Sequence, residues 1–382
     1  MWRLKRVTLV ALASSATTIG LAASPGPPAA AGPVKVIFDT DMYGDIDDAL
    51  ALAMLHALQS RGEIELLAVT VSTESAWAAR FIDLVNTFYG RPDIPVGVAS
   101  DGMTVAALNA SPYGPYLPSP EGIHYTQHVA SLEGKDGALL FPRDDIDGTG
   151  SGGAVGVLRR ALAAEPDRSV VVICVGYMTN LAQLLESGPD DASQLDGRAL
   201  VRQKVSLLSA MAGNFATAAR GGEGRRTGSP EFNLVLDESA ARAVFGKWPA
   251  PIVASGSEVG ASLLFPQSAI DRYFNYVGHH PIAEAYRYAA AFYRRFSSKP
   301  GSAHDHATYD LTSVLYAARP QADYFTLSGA GEVAVGDGGR SLFTPLEGGT
   351  RRFLGLPDAR RMRALEAMIM LASQPPVSIT AR

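Results

Sequence analysis

Five aspartates fall within ten residues near the start of the chain, in Asp39-Thr40-Asp41-Met42-Tyr43-Gly44-Asp45-Ile46-Asp47-Asp48, and no basic side chain stands among them. The segment before them, Val34 to Phe38, is mostly apolar and β-branched, as in a buried strand, and Ala49 to Leu58 after them has the makeup of a helix. The acids therefore occupy the turn at the carboxyl end of a strand, where open α/β sheets place their ligands. Uncompensated carboxylates packed this closely call for a cation, and oxygen-only ligands favour a hard ion such as Ca²⁺ or Mg²⁺ over zinc.

Three readings of the turn compete on local grounds. Helix capping accounts for two acids, one as the cap and one at the positive end of the helix, but not for five. A calcium loop of the EF-hand kind fits Asp39, Asp41 and Gly44, yet it puts Tyr43 at a ligand position and Leu50 where a bidentate Glu belongs. A phosphatase whose first Asp is the nucleophile, Asp-x-Asp at a strand end with Mg²⁺, agrees with the local context.

Further along, apolar strands alternate with helices. Val34 to Phe38, Leu66 to Val71, Val170 to Val175, Val205 to Ala210 and Ile252 to Ala254 are the expected strands, and Ala76 to Tyr89, Ala154 to Ala164 and Asp237 to Phe245 the expected helices. This alternation predicts an α/β fold, a largely parallel sheet covered on both faces. Residues 100–153, rich in Pro, Gly and Tyr, interrupt it and are expected to form an irregular lobe near the mouth of the site. Its Gly148-Thr-Gly-Ser-Gly-Gly run lacks the Gly-Lys-Ser/Thr ending of a phosphate loop.

Four motifs in order resemble the calcium-dependent nucleoside hydrolases, the inosine/uridine-preferring N-ribohydrolase superfamily, in a long secreted bacterial-type variant. They are the Asp-rich turn, Gly176-x-x-Thr179-Asn180-Leu181-Ala182 after an apolar run, Gly213-Asn214 followed by Glu231-Phe232-Asn233, and Tyr309-Asp310-Leu311-Thr312. The resemblance runs from about Val34 to about Pro375, and Glu231-Phe232-Asn233 has no place in the phosphatase reading. It implies a nucleoside hydrolase-like domain with a mostly parallel, Rossmann-like sheet. It also implies Ca²⁺ held by Asp41, Asp48, Asp310 and the carbonyl of Thr179, with Asp41 as the general base toward a water that the ion orients. By the same resemblance Asp47, Asn214, Glu231 and Asn233 bind the ribose hydroxyls of a nucleoside or ribosyl substrate. Asp39 is expected behind the site as an acceptor, two residues from Asp41 on the same side of the strand.

The chain departs from the family pattern at three places. One is a longer stretch between Asn214 and Glu231, carrying Arg220, Arg225 and Arg226, which is expected as an exposed, solvated loop beside the site, with contact to an anionic substrate group as the alternative. After the second strand the chain carries Ser72-Thr73-Glu74 where small members have Gly-Asn, and Tyr309 stands where a His commonly protonates the departing base. Tyr309 and His306 are the candidates for that role, with His304 beside them. The alternatives are a hydrolase of another ribosyl compound, or a calcium-dependent sugar or nucleoside binding protein without turnover. Aromatics in Pro281 to Phe296 are expected mainly in the core, with stacking on a base as the alternative. His279-His280 and His304-Asp305-His306 lack the partner spacing of a zinc site.

Composition agrees with one enzyme-sized domain. With 382 residues, 47% of them hydrophobic, the chain can bury a large core, expected over residues 33–382. Met1 to Gly32 has a basic opening, an apolar stretch from Val7 to Ala23 and small residues after it, the pattern of a cleaved signal peptide and short linker. Export to the periplasm or beyond is expected, with no stable membrane anchor after cleavage. The formal charge of −5 becomes −8 once Arg3, Lys5 and Arg6 leave, a balance that argues against a nucleic-acid partner. A homo-oligomer is compatible with the sequence. Cys174, the lone cysteine, excludes an internal disulfide.

Overall fold

The computed structural model describes residues 32–43, 45–111, 114, 124–219, 228–294 and 303–377. The chain divides into Met1–Gly32 and Pro33–Arg382, and the fold described is that of the second unit. The expected leader over residues 1–31 and the expected loop around Arg220, Arg225 and Arg226 lie outside the described residues.

Twelve strands are seen among the described residues: β1 Val34–Thr40, β2 Ile64–Glu74, β3 Val96–Thr104, β4 Val170–Cys174, β5 Val205–Met211, β6 Ile252–Ser255, β7 Leu264–Phe265, β8 His306–Ala307, β9 Thr326–Leu327, β10 Gly331–Gly336, β11 Arg340–Pro345 and β12 Arg351–Gly355. The main sheet runs in the order β11-β10-β12-β6-β5-β4-β1-β2-β3, with β9 on β12. Pairings from β3 through to β6 and from β6 to β12 are parallel, whereas β10 pairs antiparallel with β11 and β12. Succession along the chain runs outward in opposite directions from β1 and from β4, so the strand order reverses between these two neighbours. That is the switch point at which an open α/β sheet leaves a crevice at its carboxyl edge.

Alternate residues of the central strands feed two separate cores, as a two-residue repeat demands. Val36, Phe38, Val171 and Ile173 pack with the helices Asp47–Ser60, Ala76–Phe88, Pro281–Tyr293, Tyr309–Ala318 and Asp358–Ala372 on one face. Ile37, Val170, Val172 and Cys174 pack with Gly153–Ala163, Thr179–Glu186, Gly197–Lys204 and Glu238–Lys247 on the other. Burial on both faces is why these strands are continuous apolar runs rather than alternating ones.

The expected strands and helices are present with ends moved by a few residues. Strands β3 and β7 to β12 were not anticipated. In β10, Gly331-Glu-Val-Ala-Val-Gly, buried and exposed positions alternate, a pattern that a search for apolar runs does not find. Residues 100–153 are not wholly irregular: β3 reaches into them, and the short helices Val105–Ala110 and Tyr125–Ala130 follow. Among the described residues no helix is long and apolar enough to cross a membrane.

Candidate active site

The turn after β1 is held by side chains from its neighbours. Ser72 Oγ donates to the Thr40 carbonyl and Thr73 Oγ1 to the Asp41 carbonyl, each at 3.3 Å. Gly176, after β4, packs so closely that a Cβ there would stand 2.4 Å from the Asp41 nitrogen. Ser72 and Thr73, two of the three residues that depart from the small-member pattern, thus brace the backbone of the acidic turn. Asp39 lies behind it, buried, accepting from Thr70 Oγ1 at 2.5 Å and Asn180 Nδ2 at 2.7 Å. Burial lifts its carboxyl to about 6, although both hydrogen bonds favour the charged form.

Two helices begin at the crevice and bring the remaining acids in. Asp47 and Asp48 open Asp47–Ser60, and Asp310 lies in the first turn of Tyr309–Ala318. The Asp310 N–H donates to Asp47 Oδ2 at 3.0 Å, and Thr40 Oγ1 donates to Asp48. Carboxylate oxygens of Asp47, Asp48 and Asp310 lie within 4.8 Å of one another, and Asp41 lines the same cavity. Burial, then mutual repulsion, pushes the carboxyls of Asp41, Asp48 and Asp310 well above their ordinary values. Among the described residues no Lys or Arg pairs with any of these acids, and the ion pairs they do make run to His306 alone. The donor set is all oxygen and largely buried, with only Asp47 of these acids paired to a cationic side chain, His306, and it fits a hard divalent cation.

His306 reaches both Asp45 and Asp47, at 3.8 Å from the latter, and shares a 3.1 Å hydrogen bond through Nδ1 with His304 Nε2. Burial would lower this imidazole, but the two carboxylates outweigh it and hold it at about 10. His304 stacks on Tyr293, with ring centroids 4.7 Å apart. His306 therefore sits behind the cavity wall, while Tyr309 lines it, its hydroxyl pushed up to about 12 by burial and neighbouring carboxylates.

Glu231 and Asn233 also line the cavity. The Glu231 carboxylate caps the helix Phe232–Leu236, taking N–H groups of Asn233 at 3.0 Å, Leu234 at 3.2 Å and Gly213 at 3.0 Å, and burial raises it to about 7. Asn233 Nδ2 donates to the Val175 carbonyl at 2.8 Å, which leaves its Oδ1 as the acceptor end. Asn214 does not line the cavity: its Nδ2 donates to Ser257 Oγ at 3.0 Å, and Ser257 does line it. Thr179 begins the helix after β4 with its hydroxyl on Asp237, and it too lies outside the lining.

The cavity holds about 440 Å³. Leu108, Tyr177, Met211, Phe232 and Tyr293 form much of its apolar wall. Tyr177 was not singled out from sequence, yet its hydroxyl hydrogen-bonds Asp41 and Thr73. Its signal was available, since it directly follows the glycine just after β4 at the switch point. Tyr293, expected mainly in the core, lines the cavity, whereas Tyr286 of the same helix is fully buried. His279 and His280 have structural partners: His279 pairs with Glu284, and His280 caps the helix Pro281–Tyr293.

A parallel sheet with a carboxylate-lined crevice at its switch point defines a small-molecule site in an α/β domain. A model of the inosine-uridine preferring nucleoside hydrolases matches residues 36–354, and the chain belongs to that family. It is 25% identical over 225 residues, 58% of its length, to the inosine-uridine preferring nucleoside hydrolase of Crithidia fasciculata. It is 28% identical over 243 residues, 63% of its length, to the pyrimidine-specific ribonucleoside hydrolase RihA of Salmonella schwarzengrund. These matches span 60% and 65% of the two relatives. Among solved structures, a plant nucleoside hydrolase superposes with a TM-score of 0.60 at 21% identity, over 90% of this chain and 100% of the other. An inosine-uridine preferring nucleoside hydrolase from Bacillus anthracis does so at 0.60 and 17%, over 89% and 99%. At these identities the structural likeness speaks to the fold.

Proposed function

We propose that the chain hydrolyses the N-glycosidic bond of nucleosides to ribose and free base, with Ca²⁺ as its metal. The convergence of Asp41, Asp47, Asp48 and Asp310 on one cavity, with no Lys or Arg paired to them among the described residues, carries this reading. Asp41, Asp48, Asp310 and the Thr179 carbonyl are the proposed ligands, and Asp47 shares their cluster. When bound, the ion supplies positive charge that attracts sugar hydroxyls and lowers the pKa of a water. Asp41, oriented by Tyr177, takes the proton of the attacking water as general base. Asp47, Asn233 and Glu231 engage ribose hydroxyls, and Asn214 steadies this wall through Ser257. Tyr309 and Tyr293 flank the departing base, and Tyr309 hydrogen-bonds it.

The basic opening and the apolar stretch Val7 to Ala23 support export by a cleaved signal peptide. A binding protein without turnover is the second reading, favoured by Tyr309 at the position where a His commonly serves as acid.

Release of reducing sugar from purine and pyrimidine nucleosides, with Ca²⁺ and after chelation, tests the proposal. Turnover lost on chelation and restored by Ca²⁺ is expected, and Asp41→Asn should lower kcat by about 10²–10⁴-fold while the fold survives. Asp41→Asn turning over at the parent rate would remove Asp41 as the base.

A further inference from the structure

The cavity wall combines six carboxylates, Asp41, Asp45, Asp47, Asp48, Glu231 and Asp310, with the rings of Tyr177, Phe232, Tyr293 and Tyr309. Among its described lining residues there is no Lys, Arg or His. The two nearby imidazoles are committed elsewhere: His306 to Asp45 and Asp47, and His304 to His306 and to the face of Tyr293. A bound divalent ion and the His306 imidazolium together would offset three of the six carboxylate charges.

This wall has two consequences for the group that leaves. A negative, aromatic surround attracts a cation over a neutral isostere, through Coulomb attraction and the faces of the rings. A neutral base departs with the bonding pair as an anion and needs a proton. On the wall Glu231 has both carboxylate oxygens committed to backbone N–H groups, and the hydroxyls belong to tyrosine and serine, tyrosine with an ordinary pKa of about 10. A base that already carries a fixed positive charge needs no proton at all.

Building on the hydrolase reading, we propose that the preferred substrate is an N-riboside whose base is permanently cationic, of the pyridinium type. The oxygen of water bonds to the anomeric carbon as the carbon–nitrogen bond breaks. The bonding pair passes to the ring nitrogen and cancels its charge, so the base leaves neutral. The proton of the water passes to Asp41 and on to solvent. Asp45, half-exposed at the wall, and Tyr293 face the aglycone side of this step.

The full chain, with added Ca²⁺, is assayed on nicotinamide riboside, uridine and inosine. The neutral dihydro form of nicotinamide riboside is titrated as a competitive inhibitor. Expected are a kcat/KM for nicotinamide riboside more than about tenfold above both neutral nucleosides, and an inhibition constant for the dihydro form more than about tenfold above the KM of the cation. Tyr293→Leu should narrow the second ratio. Uridine or inosine turned over within about tenfold of the cation, or a dihydro form that binds as tightly, overturns the inference and leaves the hydrolase reading standing. Turnover of none of the three overturns both.

Discussion

Replacing Asp48 by Asn should move stability in opposite directions with and without calcium. The Asp48 carboxyl is 2% exposed, and its oxygens lie within 4.8 Å of those of Asp47 and Asp310. Two full charges 4.8 Å apart at an effective dielectric constant of about 20 repel by about 3.5 kcal/mol. The raised pKa values mean that protonation already relieves much of this, leaving about 1–2 kcal/mol for the substitution to release. Loss of negative charge at the start of the helix Asp47–Ser60 opposes it by about 0.5 kcal/mol. The Asn Oδ1 still accepts from Thr40, so the chelated variant should unfold about 1–2 °C above the parent. Calcium at about one hundred times its Kd should stabilise the parent by about 2.7 kcal/mol. A variant whose affinity has fallen about a hundredfold gains only about 0.4 kcal/mol at that concentration. Thermal unfolding in chelator and in calcium should thus show the two curves changing order. A variant that is less stable in chelator yet keeps the full calcium shift would refute the argument, leaving Asp48 as a helix cap and not a ligand.

The same charges set a pH dependence. Asp41, Asp48 and Asp310 titrate above 3.8 when folded, so their contribution is complete below that value and is lost as pH rises through their raised values. His306, raised from 6.5 to about 10, loses its contribution over that interval with the same sign. Buried His56, His124, His280 and His304, held below the ordinary imidazole value, act with the opposite sign, so the acids' share is read as a difference. The melting temperature of the chelated parent minus that of chelated Asp48→Asn should fall between about pH 5 and about pH 8, a trend that calcium flattens, and a difference that rises over that range contradicts the reading. Gly176→Ala, whose Cβ would stand 2.4 Å from the Asp41 nitrogen and 2.7 Å from Ser72 Oγ, should cost about 1–3 kcal/mol and reduce kcat by displacing Asp41. Parent-like kcat in that variant would show that the turn tolerates displacement.

Much of the site could be anticipated because its chemistry is concentrated in short runs. Asp41, Asp47 and Asp48 share one turn, Glu231 and Asn233 one tripeptide, and strand-end placement follows from the apolar run before the acids. Asp310 came only through likeness to a family motif, since nothing local marks it as a partner of residues more than 260 positions away. Asn214 was expected on the substrate, and its side chain holds Ser257; Thr179 was expected on the ion through its carbonyl, and its hydroxyl rests on Asp237. Motif position says which backbone approaches a site, whereas the rotamer depends on neighbours from other elements.

Local composition was sufficient for the central parallel strands β1, β2, β4, β5 and β6, for the helices Asp47–Ser60, Ala76–Phe88, Gly153–Ala163 and Glu238–Lys247 and for the acidic turn, because burial on both faces and charge crowding leave their mark within a few consecutive residues. The antiparallel edge β10 and β11, the withdrawal of His306 behind the wall onto Asp45 and Asp47, the selection of Tyr293 over Tyr286 to face the cavity, and the Tyr177 bond to Asp41 were decided only on folding. Each depends on the distance and direction between groups remote in the chain, and those are set by how helices dock on the sheet, which no local pattern encodes.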